Sequence, residues 1–186
     1  SDGAQYLLRL QGEVDGRPLG GASSRGAIDA DGLAPLRLAD LKRGREVRAA
    51  NFRRDQRRIT FSAPSIEQPL LPGTQDRLSW MIQLPAVVQA NPGLRHEGAR
   101  VTLLVVGTRG DAEAWHFDAQ GAEPLDLPGG PVAAALRFVR EPVRPYDLQV
   151  EVWLDPARGH LPVRARLATR PETRTTEWQL AAVESP

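Results

Sequence analysis

The strongest local charge bias in this chain of 186 residues is a basic run between positions 42 and 58. Its members are Lys42, Arg43, Arg45, Arg48, Arg53, Arg54, Arg57 and Arg58. If Asp55-Gln56 forms a hairpin loop, Arg53 lies opposite Arg58, and like charges in that position destabilise a strand pair. A bound anion would remove this repulsion. We therefore predict that Arg53, Arg58 and Arg48 bind an anionic partner, such as a lipid headgroup, an acidic polysaccharide or a protein. The alternative is a solvated strand face, with Glu46 and Asp55 nearby.

The charge of the whole chain argues against nucleic acid as that partner. The formal net charge is +1, whereas nucleic-acid-binding domains carry a pronounced excess of basic residues. The basic run also lacks the interleaved aromatic side chains on which bases stack. We expect no nucleic-acid partner.

Residues that do catalysis or hold metals are not grouped in the sequence. His96, His116 and His160 lie on separate predicted elements, and the chain has no cysteine, so no metal-ligand spacing is present. No serine has the glycine-flanked setting of a nucleophile, and no glycine-rich phosphate loop precedes a helix. Arg109-Gly110-Asp111 matches a cell-adhesion tripeptide but is expected to be a hairpin turn. We predict no catalytic residues, no metal and no cofactor, and a protein that is not an enzyme.

One helix is predicted, from Thr74 to Asn91. Most of its circumference is apolar, while Asp76, Ser79 and Gln83 form a narrow polar stripe, so the helix should be buried. Thr74 is the expected N-cap, Pro85 should kink or split the helix, and Asn91-Pro92-Gly93 should end it. Arg77 beside Asp76 suggests a buried ion pair at the helix start.

The rest of the chain indicates strands. About ten short segments alternate apolar and polar residues, and the 17 glycines and 16 prolines suit many tight turns. We predict a mainly β fold, a single domain over residues 1–186. Its architecture should be a curled antiparallel sheet, a half-barrel or open barrel of about ten strands, wrapping one central helix at about residues 75–90.

Two hairpins can be given a register. Around Asp55-Gln56, Phe52 should oppose Ile59 and Ala50 should oppose Phe61 on the apolar face. Around the turn of residues 155–159, Leu154 should oppose Leu161 and Glu151 should lie beside Arg164 on a solvent face.

Three stretches carry a family resemblance: VEVWLDPARGHLPVRARL, PGTQDRLSWMIQL and ANFRRDQRRITFS. Together they resemble the bacterial domain-of-unknown-function family 3108, from about Tyr6 to Val183. The resemblance implies a β-rich envelope protein, exported to or tethered in the periplasm. It brings no established activity and no catalytic residues.

A curled sheet over a helix leaves an apolar cleft between the two layers, where ligands usually bind. By analogy of fold with periplasmic half-barrel lipoprotein carriers, we predict a non-enzymatic envelope domain that binds a lipid, lipoprotein or other amphiphile there. The predicted ligand-binding side chains are Trp80, Met81, Leu84, Phe52 and Phe61.

Two other functions stay open. One is a protein-interaction or scaffold module of the envelope, which would use an exposed strand edge or the arginine-rich hairpin 42–58. The less favoured one is a cell-wall hydrolase, because no pair of carboxylates is brought together by periodicity. The abrupt start Ser1-Asp2-Gly3 resembles a mature terminus, and we expect a periplasmic location, reached by export or membrane tethering.

Overall fold

The computed structural model of the chain describes residues 4–14, 17–63, 65–171 and 174–183. Within these ranges it contains one α-helix, two short 3-10 turns and 13 strands, joined by turns and loops. The predicted class, a mainly β fold with one helix, is confirmed. The strands belong to two sheets. None of the helices in the described ranges has the length and apolarity of a membrane span.

The first sheet is an antiparallel meander in which each strand pairs with the next along the chain. Its strands are β1 (Gln5–Val14), β2 (Arg17–Asp29), β3 (Gly32–Lys42), β4 (Arg45–Arg53), β5 (Arg58–Phe61) and β6 (Glu67–Pro69). This connectivity follows from short turns between strands of alternating pattern, such as Ala30-Asp31 between β2 and β3.

The second sheet has the order β13-β12-β11-β10-β9-β8-β7. Its strands are β7 (Gln75–Asp76), β8 (Arg100–Val106), β9 (Ala112–Leu125), β10 (Val132–Arg140), β11 (Leu148–Asp155), β12 (Leu161–Thr169) and β13 (Thr175–Gln179). The short strand β7 pairs in parallel with β8. The strands from β9 to β13 pair antiparallel.

Backbone contacts divide the chain into two compact units. The first unit comprises Ser1–Gln83 with Leu103–Ala114, and the second comprises Leu84–Thr102 with Trp115–Pro186. Each is described separately below. The expectation of a single domain stays a prediction.

The core of the first unit lies on the inner face of the first sheet. Its buried members are Leu38, Ala50, Phe52, Ile59, Leu78 and Val106. Leu78 precedes the helix, and the half-buried Met81 on its first turn packs against the same cluster. The start of the helix therefore packs against the sheet through apolar side chains, among them Met81 and Phe52, which the sequence analysis assigned to ligand binding.

The helix, α1, runs from Trp80 to Ala90. It begins six residues later than predicted, because Asp76 Oδ1 accepts hydrogen bonds from the backbone N–H groups of Leu78 and Ser79 at 2.8 and 2.7 Å. Ser79 Oγ in turn accepts from Asp76 N at 2.8 Å. This reciprocal arrangement is a capping box. The helix continues unbroken through Pro85, and a 3-10 turn at Pro92–Leu94 follows it.

The polar stripe beside and within α1 is buried. Asp76 and Ser79 have no exposed surface and Gln83 only 5%, whereas Ile82 is 39% exposed. Gln83 accepts from Leu33 N at 2.8 Å and donates to Asp31 O at 2.9 Å. A Cβ on Gly32 would lie 2.4 Å from the Gln83 amide. The absence of that atom lets the β2–β3 turn approach the helix.

The register predicted for the β4–β5 hairpin is confirmed, including the opposition of Arg53 and Arg58. Its loop has four residues, Arg54 to Arg57, where the sequence predicted two. Arg57 adopts a left-handed φ of 51°, a conformation that hairpin loops usually give to glycine or asparagine.

The register predicted for the closing hairpin, in the second unit, is wrong. Leu154 pairs with Pro162 and Glu151 with Arg166, with a bulge between Trp153 and Leu154. Gly159 and His160 both take φ 62° and shift the return strand. Both faces of β11 are buried, so the alternation that fixed the predicted register does not describe this strand.

Candidate functional site

A cleft of about 560 Å³ lies in the first unit, where β1 to β4 meet the β4–β5 loop. Its wall contains four cationic side chains, which are Arg25, Arg37, Arg53 and Arg54. Asp55 is the one carboxylate in its lining, and Leu36, 47% exposed, supplies an apolar surface. We refer to it as the arginine cleft. An excess of guanidinium groups over carboxylates in a concave surface favours an anion.

A β-bulge shapes this cleft. The pairing of β2 with β3 shifts between Arg25 and Gly26, so that Arg25 faces Arg37 while Gly26 faces Pro35. A Cβ on Gly26 would lie 2.2 Å from the Ala34 carbonyl oxygen. A bulge of this kind leaves one residue without a cross-strand partner and turns it away from the ladder. Here that residue is Leu36.

The arginines differ in how far the protein itself neutralises them. Arg58 forms an ion pair with Glu67 at 3.0 Å, and Arg48 forms one with Asp40 at 3.2 Å. Across the described ranges, Arg25 and Arg53 form no hydrogen bond or ion pair through their guanidinium groups.

The other two cleft arginines have partners within the protein. Arg37 bonds to Asn51 and Glu46. Arg54 lies 3.9 Å from Asp29. Of the three predicted anion-binding residues, only Arg53 therefore lines the cleft with an unneutralised charge.

A buried polar group lies behind the cleft wall. Tyr6 lines the cleft, and its hydroxyl lies 3.0 Å from Ser24 Oγ. Ser24 has no exposed surface and donates to Asp76 Oδ2 at 2.5 Å. Because the one Ser24 proton is used there, the Tyr6 hydroxyl donates to Ser24 Oγ. A continuous row of hydrogen bonds thus connects the cleft to the start of α1.

Burial is the largest influence on the pKa of both Asp76 and Tyr6, the residues at the two ends of this row of hydrogen bonds. It raises the pKa of the Asp76 carboxyl above its ordinary value, against the opposing effect of hydrogen bonds from Ser24 and two backbone N–H groups. It also raises the pKa of the Tyr6 phenol well above its ordinary value. The phenol therefore stays protonated at physiological pH and remains a donor.

The apolar side chains predicted to bind a ligand are mostly core. Phe52, Phe61 and Met81 pack in the cluster of the first unit, and Phe52 also lines the arginine cleft. Trp80 and Leu84 are buried, with 1% and 0% exposed surface. Their role in ligand binding stays a prediction.

Arg77 forms an ion pair with Asp111, whereas the sequence predicted a pair with Asp76. Its guanidinium contacts the Asp111 carboxylate at 2.5 Å, and the carboxylate of Asp76 is bound by Ser24 and the capping backbone. Asp111 belongs to the predicted turn that contains Arg109 and Gly110, and this turn is present between β8 and β9. The Arg77–Asp111 pair thus holds that turn against the segment before α1.

The three histidines do not meet. His96 contacts Glu97 O and His116 contacts Thr102, both at the surface. His160, in the second unit, is buried within the left-handed turn after β11. In the described part of the chain, no three His, Asp or Glu side chains are placed to hold a metal ion.

A family model described as "Protein of unknown function (DUF3108)" matches residues 3–177. The chain belongs to the DUF3108 family. No curated protein and no solved structure matches it.

In this DUF3108 domain, sequence reasoning missed Arg25, Arg37, Tyr6 and Ser24. They lie on β1, β2 and β3, remote in sequence from the basic run, and meet it only through strand pairing. The usable signal was Gly26 within a strand, since an interior glycine often marks a bulge. Pairing three successive strands from that bulge would have placed Arg25 and Arg37 beside Asn51.

Proposed function

We propose that this protein is a non-enzymatic cell-envelope domain that binds an anionic lipid, lipoprotein or other amphiphile through the arginine cleft. The observation that carries the proposal is the pair of exposed guanidinium groups of Arg25 and Arg53, which form no hydrogen bond or ion pair in the described part of the chain, in a cleft of about 560 Å³. Guanidinium groups bind phosphate and carboxylate in two-point geometry and lose less hydration than ammonium groups do.

The cleft also suits an amphiphile better than a small inorganic anion. Leu36 exposes 47% of its surface at the cleft, and Phe52 contributes a ring that is otherwise core. Tyr6 offers a phenol beside the charged groups. Ligand sites in proteins combine apolar walls with a few well-placed polar groups.

The arginine cleft is preferred here over the space between α1 and the first sheet. Leu78 and Met81 pack there against the sheet side chains Phe52 and Ile59. A ligand entering that space would have to displace close-packed core atoms, at a cost of several kcal/mol. Binding at the arginine cleft requires no such displacement.

Vesicle binding tests the proposal. Vesicles of phosphatidylglycerol mixed into phosphatidylcholine should co-sediment with the protein, and vesicles of phosphatidylcholine alone should not. The double variant Arg25→Gln/Arg53→Gln should lose about tenfold or more in affinity, since charge-assisted contacts contribute about 1.5–3 kcal/mol each. Arg109→Gln is the matched control, because Arg109 is exposed and lies outside the cleft. Equal binding by the double variant and the control would refute the proposal.

A protein partner is the second candidate. It is favoured by β1, which ends the strand order of the first sheet and exposes 58% of Leu7. An open edge strand accepts a further strand through its backbone groups. Cross-linking in cells should then capture a partner that is lost with Leu7→Glu, in a variant shown by circular dichroism to fold, and retained with Arg53→Glu/Arg58→Glu.

The periplasm is the proposed compartment, supported by the family resemblance. Fractionation of cells producing the natural gene product should place it with periplasmic or membrane markers. Recovery with cytosolic markers would contradict this location.

A further inference from the structure

A second cleft, of about 490 Å³, lies in the first unit next to the arginine cleft. It is lined by Asp31, Arg54, Arg57, Leu70, Leu71 and Pro72. We refer to it as the leucine groove. Arg54 lines both the arginine cleft and the leucine groove. One side chain therefore separates the guanidinium groups of the cleft from the consecutive apolar residues of the groove.

The leucine groove is held in place by backbone hydrogen bonds. Leu70 N donates to Arg57 O at 3.0 Å, which attaches the groove to the β4–β5 loop. The carbonyl of Leu71 accepts from Thr74 Oγ1 at 2.7 Å and from Thr74 N at 3.3 Å. Thr74, expected to cap the helix, thus fixes this turn instead. A groove fixed in this way loses little conformational entropy when a ligand binds.

The side chain of Leu71 is 52% exposed although its backbone is fixed. Its neighbour Leu70 is directed into the core of the first unit. A leucine held rigidly at the surface, beside a proline, is a ready surface for hydrocarbon because no apolar contact must be broken before it is covered.

The charges around the groove favour a ligand with one charged end. Arg54 lies 3.9 Å from Asp29 and 3.4 Å from Pro35 O, so its guanidinium is directed toward the β2–β3 turn. Its methylene stem can then lie along an apolar ligand, as arginine stems commonly do. Asp31 in the groove disfavours a second anionic group there.

We propose that the ligand of the arginine cleft carries a hydrocarbon chain that passes Arg54 and lies along Leu70, Leu71 and Pro72. The ligand class is therefore a monoanionic or phosphate-headed amphiphile with its charge and its chain in neighbouring sites. This inference rests on the proposed function, because the anionic group must occupy the arginine cleft.

Alkyl phosphates of increasing chain length test the inference, at concentrations where they are monomeric. Butyl, hexyl and octyl phosphate would be titrated into the protein by isothermal calorimetry. A methylene fully removed from water strengthens binding roughly fourfold, so a half-covered one contributes about twofold. From butyl to octyl phosphate, the affinity of the unmodified protein should rise about tenfold.

Two variants separate the groove from the cleft. Leu71→Asn should remove most of the chain-length dependence and leave butyl phosphate binding unchanged. Arg25→Gln/Arg53→Gln should weaken all three ligands by the same factor. Val47→Asn is the matched control, because Val47 is 51% exposed and lines neither space. Its affinities should equal those of the unmodified protein.

The possible failures can be told apart. Arginine-dependent binding that does not increase with chain length overturns the inference and leaves the proposed function standing. An increase with chain length that Leu71→Asn does not reduce also overturns the inference. Binding that depends on chain length and on Leu71 but not on Arg25 and Arg53 supports the groove and overturns the arginine cleft as the anionic site. Absence of binding by all three ligands overturns both.

Discussion

The carboxyl group of Asp76 has no exposed surface and accepts hydrogen bonds from Ser24, Leu78 N and Ser79 N. Burial opposes its ionised form, and the three donors favour it. The balance raises its pKa. The same side chain caps α1 and closes the row of hydrogen bonds from Tyr6, so its protonation affects helix start and cleft wall together.

The raised pKa of Asp76 predicts a specific pH dependence. A carboxyl whose pKa is higher in the folded than in the unfolded state stabilises the fold most below the unfolded value, about 3.9. That contribution is lost as pH rises through the folded pKa, because the unfolded state then binds fewer protons. Asp76→Asn removes this titration. The free energy of unfolding of the variant should therefore improve relative to the unmodified protein between pH 4 and pH 8, measured by urea denaturation.

The control for this pH dependence is Asp126→Asn. Asp126 is exposed and is not part of a cap, so its substitution should leave the pH profile of stability unchanged. A constant difference between Asp76→Asn and the unmodified protein across this range would contradict the prediction.

At the scale of elements, the β4–β5 hairpin could be predicted and the closing hairpin could not. Both faces of β4–β5 sort into apolar and polar rows, and the short loop around Asp55-Gln56 brings the two strands into one register. In the closing hairpin, Gln149 and Glu151 are buried together with the apolar face, and two left-handed residues lengthen the turn. The observed partner of Glu151, Arg166, lies two residues from the predicted partner, Arg164. A shift of two residues leaves every side chain on the same face, so alternation alone could not distinguish the two registers.

The start of α1 shows a related limit. Asp76 and Ser79 have the spacing of residues one turn apart in a helix, and that spacing also suits a capping box. The sequence predicted a helical stripe, and the structure places Gln75 and Asp76 in a strand. Asp76 contacts Ser24 on β2 and Gln75 contacts Leu33 on β3, 52 and 42 positions away, and periodicity cannot detect contacts at that distance. For the same reason, of the arginines that line the arginine cleft, the sequence singled out only Arg53 and Arg54, which belong to the basic run.

Because the β2–β3 turn lies close to α1, alanine substitutions at two glycines should differ in the stability that they cost. Gly32→Ala places a Cβ 2.4 Å from the Gln83 amide at φ 101°, and should destabilise the fold by about 2–4 kcal/mol. Gly44→Ala has a positive φ of 75° but no atom within 4 Å. It should cost only about 1 kcal/mol. Thermal and urea unfolding of both variants measures the difference; equal losses would contradict a close approach at Gly32.

A carboxylate connects three strands of the second unit. Glu151 on β11 accepts from Arg137 on β10 at 2.5 Å and from Arg166 on β12 at 3.0 Å. Burial alone would raise the pKa of Glu151, but these two arginines hold it below its ordinary value. Its stabilising contribution is therefore present above about pH 4.3, the ordinary glutamate value, and is lost as pH falls through the folded pKa.

The variant Glu151→Gln should cost about 1–3 kcal/mol at pH 7, because two partly buried guanidinium groups lose their counter-charge. Glu177→Gln, which loses a more exposed pair with Arg164, should cost about 0–1 kcal/mol. Urea denaturation at pH 7 and at pH 3 tests both values. The penalty of Glu151→Gln should shrink at pH 3, and a penalty unchanged between the two pH values would contradict the assigned role.

At the scale of the whole molecule, the chain passes between its two compact units at residues 83–84, 102–103 and 114–115. These crossings fall inside α1, β8 and β9. Because unfolding one unit alone would break the hydrogen bonds of a helix and two strands that continue into the other, the two units should unfold together. Calorimetry should give one transition with equal van't Hoff and calorimetric enthalpies. Two separate transitions would contradict the prediction of a single domain.

The buried polar side chains of Asp76, Ser79 and Gln83 also limit how the core of the protein can be redesigned. Replacing Asp76, Ser79 and Gln83 with leucine would make the core around α1 entirely apolar, a change that aims at greater stability. Those three side chains, however, are what set the rotation and the axial position of the helix, since leucine contacts tolerate sliding. Such a protein would bury more apolar surface but would lose a unique native state, because its helix could adopt several alternative packing arrangements.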